Sequence, residues 1–224
     1  METIIYLIRH SKKFDMDHKI NFIGERPNRQ IITERNILSI EGEEKAKKIA
    51  KDEEFKNIDI VYSSLYSRAM STAKYFLENN NLEYLNVDER LGERKWGEPD
   101  LIKHPNYMRE QYEDENLKND TGESSKEVRT RMHEAIKEII DKNKGKRIIV
   151  VSHGAAITFL LMQWCKITYN EENKSKKIVF NDKIILNRKY REPEVFKLII
   201  DEENKVKMIE NIDLFEGEMN EKGK

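Results

Sequence analysis

Two stretches of this chain are apolar without interruption, and each ends at a histidine. They are Ile4-Ile5-Tyr6-Leu7-Ile8-Arg9-His10 and Ile148-Ile149-Val150-Val151-Ser152-His153-Gly154. Unbroken β-branched runs of this length predict strands covered on both faces, as in a parallel sheet, here over 4–9 and 147–152. Elsewhere the apolar positions recur at helical spacing. Ala46, Ile49, Ala50 and Phe55 predict an amphipathic helix over 41–55. Ala69, Ala73 and Phe76 predict one over 66–79, and Val128, Met132, Ile136, Ile139 and Ile140 one over 123–142 that stops at Gly145. A further helix is expected at 154–165, and short strands at 58–62 and 84–87.

Alternating strands and helices point to βαβ units. The expected fold class is α/β, a three-layer α/β/α sandwich with a mostly parallel central sheet. After Lys166 the rhythm changes to strands alone, at 177–180, 183–186, 195–200 and 206–210, with Glu202-Glu203-Asn204 turning the last two into a hairpin. The polar stretch 11–37 is longer than an ordinary connection and reads as a loop over the site. Residues 88–122 read as irregular or partly helical, broken at Pro99 and Pro105. No linker divides the chain, so one unit is expected over 1–215, followed by a polar tail at 216–224.

Composition removes several functions. The 224 residues carry 41 Lys and Arg against 42 Asp and Glu, so no basic excess marks a nucleic-acid binder. No apolar stretch approaches the length that spans a bilayer, and Ile4–Ile8 is too short for a signal peptide, so a cytoplasmic protein without nucleic-acid or membrane partners is expected. The single cysteine, Cys165, forms no internal disulfide, and no spacing suggests a metal cluster. A cysteine-based phosphatase needs an arginine six residues after its nucleophile, where this chain has Glu171, so Cys165 reads as core. His18, His104 and His133 lack a partner pattern. The basic run from Lys174 to Arg191 reads first as a solvated face.

In open α/β sheets the carboxyl ends of the strands meet the ligand crevice. His10 and His153 would therefore converge there, with Arg9 beside the first. Arg68, in Ser63-Ser64-Leu65-Tyr66-Ser67-Arg68-Ala69, falls on the first turn of a helix after a strand, where free backbone N–H groups and a guanidinium fork attract anions. Glu93 adds a carboxylate in an irregular segment, Leu91-Gly92-Glu93-Arg94-Lys95-Trp96-Gly97, where Trp96 could keep it partly protonated. The simpler alternative for Glu93 is a surface ion pair with Arg94 or Lys95, and Glu98 is the second candidate for an acid. Two arginines, two imidazoles and one carboxyl group suit phosphoryl transfer, which works mainly by positioning and electrostatics and here needs no metal or other cofactor.

These motifs, in this order, resemble the histidine phosphatase superfamily, also called phosphoglycerate-mutase-like. Leu7–His10, Leu38-Ser39-Ile40-Glu41-Gly42, Ser63–Ala69, Leu91–Gly97 and Val151–Gly154 carry the resemblance, and Thr121-Gly122-Glu123-Ser124 with Arg131 adds to it. It covers about residues 4–165. The resemblance implies a His10 nucleophile, phosphoryl ligands in Arg9, Arg68 and His153, and Glu93 as proton donor and then base. Ser11 stands where the family usually has glycine, Lys12-Lys13 replace an acidic-then-hydroxyl pair, and Met16 occupies the place of an asparagine. Ser11 and Lys13 are further candidate substrate ligands, and a basic residue at that place accompanies phosphatase branches of the family. The function expected is a metal-independent phosphatase acting on a small phosphorylated substrate through a phosphohistidine. The alternatives are a phosphoglycerate-type mutase and a catalytically dead phosphate-binding domain, the last suggested only by Ser11. Oligomeric state is not encoded in any of these features.

Overall fold

The computed structural model describes residues 1–15, 19–98 and 104–215. Met16, His18, Pro99 and the tail 216–224 lie outside them. Nine strands and six α-helices occupy the described residues. In chain order these are β1 (Thr3–Arg9), α1 (Arg29–Arg35), α2 (Ile40–Ala50), β2 (Ile60–Ser63), α3 (Ser67–Asn79), β3 (Leu85–Val87), α4 (Tyr107–Glu113), α5 (Ser125–Lys142), β4 (Arg147–Ser152), α6 (Gly154–Leu161), β5 (Lys166–Asn170), β6 (Ser175–Phe180), β7 (Lys183–Arg188), β8 (Glu194–Ile200) and β9 (Val206–Ile212).

The central sheet has the order β3-β2-β4-β1-β8-β9. Its first four strands are parallel, and β8 and β9 add an antiparallel edge. The apolar runs are unbroken because β1 and β4 face a core on each side. Ile5, Leu7, Ile148 and Val150 pack with Met132 and Ile136 of α5 and with Ile157 and Leu160 of α6. Tyr6, Ile8, Ile149 and Val151 pack on the other side with Ile49 of α2 and Ala69, Ala73 and Phe76 of α3. Helices thus cover both faces, and the α/β sandwich expected from the sequence is the fold observed. The remaining three strands form a separate antiparallel sheet, β5-β6-β7.

Local differences from the expected elements have local causes. The predicted 41–55 helix stops at Ala50, and Asp52 caps a separate 3-10 turn, Glu53–Phe55, by accepting from the Glu54 amide. The 154–165 helix ends at Leu161, and β5 follows where no strand was expected. Within 11–37, a helix forms at α1, capped by the Asn28 side chain on the Gln30 amide at 2.7 Å. Helix α5 begins at a capping box in which Ser124 and Glu127 satisfy each other's backbone amides.

The glycine that ends the Leu38–Gly42 motif is required by contact alone. The carbonyl of Lys12 lies so close that a Cβ at position 42 would sit 2.0 Å from its oxygen. The amide of Ser39 donates to that same carbonyl at 3.0 Å. The first turn of α2 is therefore pressed against the segment that leaves His10. Gly42→Ala is expected to lower folding stability by about 1–3 kcal/mol, because backbone rather than a flexible side chain must move. Equilibrium unfolding in guanidinium checks this, and an unchanged midpoint would show that the segment after His10 yields freely.

Candidate active site

The register of the two central strands places the histidines. Ile8 pairs with Val151 and Arg9 with Ser152, so one residue further on His10 meets His153. Their ring centroids are 5.1 Å apart. The His10 amide donates to the Ser152 carbonyl at 2.9 Å, which continues the pairing beyond the strands. Both imidazoles are buried.

Arg68 joins them. Its Nε donates to His10 Nε2 at 2.9 Å, and one terminal nitrogen donates to His153 Nδ1 at 3.0 Å. Its other terminal nitrogen donates to the carbonyl of Thr33, at the end of α1. These contacts fix both tautomers. His10 Nδ1 lies 2.7 Å from the Ser11 carbonyl, so Nδ1 carries the proton and Nε2 keeps the lone pair. His153 accepts at Nδ1, so its Nε2 donates to Ser64 Oγ at 2.7 Å. Burial, with the charges of Arg68 and Arg9, holds His10 well below the usual imidazole range. Burial and Arg68 do the same to His153. The pair is neutral near pH 7.

Arg9 comes from the end of β1. One terminal nitrogen donates to the Arg191 carbonyl at 3.1 Å, and the other pairs with Glu192. Its Nε is buried without a partner. Gly154 makes room for this guanidinium, since a Cβ there would lie 3.2 Å from Arg9 Nε. Glu93 stands at the start of α6. Its Oε1 accepts from the amides of Ala156 at 3.1 Å and of Arg94 at 2.9 Å. No ion pair involves Glu93 among the described residues. Arg94 instead turns into the core, donating to Tyr107, Gln111 and the Glu123 carbonyl. The surface-pair alternative for Glu93 is therefore not the arrangement found.

Arg131 positions the segment that carries Glu93. It donates to the carbonyls of Arg90 at 2.6 Å and Gly92 at 3.0 Å, and pairs with both oxygens of Glu123 at 2.7 and 3.0 Å. Burial pushes the Glu123 carboxyl up, but the Arg131 hydrogen bonds and the Lys95 amide outweigh it and hold it low. Ser152 Oγ donates to the Leu91 carbonyl at 2.7 Å, tying the same segment to β4.

Arg9, His10, Lys13, Arg68, Glu93 and Glu192 line one cleft of about 750 Å³. Ser11 is fully buried outside that lining, with its amide on Thr72 Oγ1 at 3.0 Å and its hydroxyl unpaired. Its backbone lies outside the left-handed region, so the glycine usual there is not demanded by this chain. Glu98 pairs with Asp120 across a backbone bridge and lines a different cavity, apart from His10. His104 bonds to Glu110 at 2.9 Å, and His133 packs on Trp164, so neither reaches the cleft. Sequence reasoning missed Asn36, Arg29 and Glu192, which all line it. The first two sit in the aperiodic 11–37 stretch, and Glu192 in the part of the chain that carried no motif. Among the described residues no three His, Cys, Asp or Glu side chains come together to hold a metal ion, and no helix is long and apolar enough to cross a membrane.

Comparison with known proteins identifies the family of the chain. The histidine phosphatase superfamily (branch 1) matches residues 5–177. No curated protein matches the chain in sequence. Among solved structures, Bacillus stearothermophilus YhfR is similar at 20% identity, covering 91% of this chain and 94% of that one with a TM-score of 0.66. A mycobacterial glucosyl-3-phosphoglycerate phosphatase is similar at 18% identity, with 95% and 97% covered and a TM-score of 0.61. Phosphoserine phosphatase from Entamoeba histolytica, in complex with phosphoserine, is similar at 18% identity, with 83% and 96% covered and a TM-score of 0.56. At these identities the solved structures establish a shared fold, and the family match over most of the chain establishes kinship: this protein belongs to the histidine phosphatase superfamily.

Proposed function

We propose that the protein is a metal-independent phosphatase that hydrolyses a small phosphomonoester through a phosphohistidine on His10 Nε2. The observation that carries this reading is the lone pair of Nε2, fixed toward a buried, cationic cleft by the Nδ1 hydrogen bond to Ser11. Arg68 Nε donates to that lone pair. An entering phosphoryl group draws the guanidinium onto its oxygens, and Arg9 and His153 complete the cage.

In the first step a P–N bond forms at His10 as the P–O bond of the ester breaks, and the leaving oxygen takes the Glu93 proton. The phosphorylated ring becomes cationic, which strengthens the Nδ1–H hydrogen bond to the Ser11 carbonyl. In the second step the Glu93 carboxylate takes a proton from water, whose oxygen attacks phosphorus. The P–N bond breaks, inorganic phosphate leaves, and Nε2 recovers its lone pair. Lys13 contributes a point charge at the cleft mouth. The names of the similar structures, a glucosyl-3-phosphoglycerate phosphatase and a phosphoserine phosphatase, support hydrolysis of a small ester over phosphoryl return.

Three measurements test the reading. The protein should release phosphate from an aryl phosphate in the presence of chelator, and His10→Ala should lose on the order of 10³-fold or more. Turnover that survives in that variant, or that needs added metal, rejects the mechanism. Glu93→Gln should lower kcat/KM by roughly 10²-fold for phenyl phosphate but by less than about tenfold for 4-nitrophenyl phosphate, whose leaving group departs without a proton. Equal losses on both substrates would remove Glu93 as the acid. Finally, the ring signals of His10 and His153 in an NMR titration of the free protein should stay those of neutral imidazole as pH falls from 7.5 to about 5.5. The sign follows from pKa values lowered by burial and cationic neighbours, and a midpoint near 6.5 for either ring would contradict it.

A further inference from the structure

In-line transfer puts the leaving oxygen on the side of phosphorus away from His10 Nε2, where Glu93 must touch it. The wall that carries Arg9, Glu93 and Trp96 continues into a second cavity of about 300 Å³ that His10 does not line. This cavity lies between α4, the start of α6 and the β5-β6-β7 sheet. Three of its lining residues are lysines, Lys174, Lys176 and Lys189, all from the basic run of the sequence. Among the described residues no carboxylate forms an ion pair with any of them, and Glu93 is the single acid in the lining. Lys176 is largely withdrawn from solvent, with its ammonium 3.9 Å from the centre of the Tyr190 ring. Burial, with a smaller push from Arg9, brings that ammonium down to about 8. The Tyr190 hydroxyl is held 3.0 Å from Thr158 Oγ1. Opposite, Tyr112 stacks on Tyr169, rings 5.6 Å apart and nearly parallel, so the walls are aromatic and braced. Lys176 is thus partly desolvated beside the like charges of the exposed Lys174 and Lys189, with no carboxylate but Glu93 in the lining to balance them. A built feature of this kind fits a ligand that brings the anion.

We propose that this cavity receives the leaving group of the substrate, and that Lys176, flanked by Lys174 and Lys189, binds a second anion on it. The substrate class is then a phosphomonoester of a small, ring-bearing molecule that also carries a carboxylate or a second phosphate. The volume, at the low end of ligand pockets, suits a single ring. The inference rests on the phosphatase reading and adds the identity of the leaving group.

The test compares kcat/KM for phenyl phosphate with that for 3- and 4-carboxyphenyl phosphate and 4-(phosphonomethyl)phenyl phosphate. At least one anionic ester should be preferred by about tenfold or more, and which one reports the chemistry of the second anion. Lys176→Met should bring that ratio close to one, while Lys176→Arg keeps part of it. Lys174→Met with Lys189→Met, at exposed positions, should lower the ratio several-fold without depending on the fold of a Lys176 variant. Lys177→Met, on the exposed face of the same strand, should leave the ratio at the wild-type value. No preference in the wild type overturns the proposal. So does an equal loss on phenyl and carboxyphenyl phosphate in Lys176→Met, which would make Lys176 a phosphoryl ligand. A ratio lowered equally by Lys177→Met overturns it as well. Failure to turn over any of the esters removes the phosphatase reading itself, and this inference with it.

Discussion

Arg68 is a buried cation whose direct partners are all neutral: two imidazoles and a carbonyl. Burying a guanidinium without an ion partner is costly, because desolvation is not repaid by a matching charge. The fold nevertheless holds it there. Its helix, α3, is pinned through Ala69, Ala73 and Phe76 to the same sheet whose strands end at the two histidines. Thr72, one turn on, accepts the Ser11 amide and so locks the His10 segment to Arg68. Burial and then this cation hold both rings well below the usual imidazole range, which leaves a lone pair on His10 Nε2. Under the proposed function a phosphoryl dianion would supply the missing counter-charge, and the cost of burying Arg68 would be returned as affinity for it.

The carboxylate side of the site is built with less strain. Within 91–97, Glu93 lines the cleft while the next residue, Arg94, is buried in the core. Arg94 is almost fully buried, but oxygens accept from it and its guanidinium carbon lies over the rings of Trp96, Tyr107 and Phe159 at 4.7 to 5.3 Å. Arg131 reaches the same segment from α5 through backbone carbonyls, and its own charge is met by Glu123. A mobile carboxylate could not meet a leaving oxygen reliably. Arg94 and Arg131, neither of which lines the cleft that holds His10, supply the rigidity of the segment.

Much of the site was legible because its elements are short-range. An apolar run that ends at His10, and another that ends at His153, predict parallel strands, and parallel strands predict neighbours at the carboxyl edge. Arg68 was readable from its place one turn into a helix. What stayed hidden depends on contacts distant in sequence. Nothing in Val195–Ile200 says that this strand pairs with β1, yet that pairing brings Arg191 and Glu192 onto Arg9. The α1 helix is seven residues with two apolar positions, too short for periodicity to register, and its Asn28 cap is one side chain among many polar ones. Strand β5 is short and half exposed, so its pattern resembles the turn that precedes it.

Charge illustrates the same limit from another direction. The chain is nearly neutral overall, and its many surface carboxylates are engaged by neighbouring lysines and arginines. Near the histidines the balance differs. Arg9, Lys13, Arg29 and Arg68 share a cleft with two carboxylates, and one of those, Glu192, is already spent on Arg9. Composition averages this away, because segregation, not total charge, sets the local potential. A low-dielectric cleft focuses that potential more than an exposed patch does, and salt screens it less. The basic run at 174–191 reads as a solvated face in sequence for the same reason. Only the folding of β5-β6-β7 beside α6 decides that Lys176 is partly buried, with Lys174 and Lys189 on the same cavity, while Lys177 and Lys183 lie outside its lining.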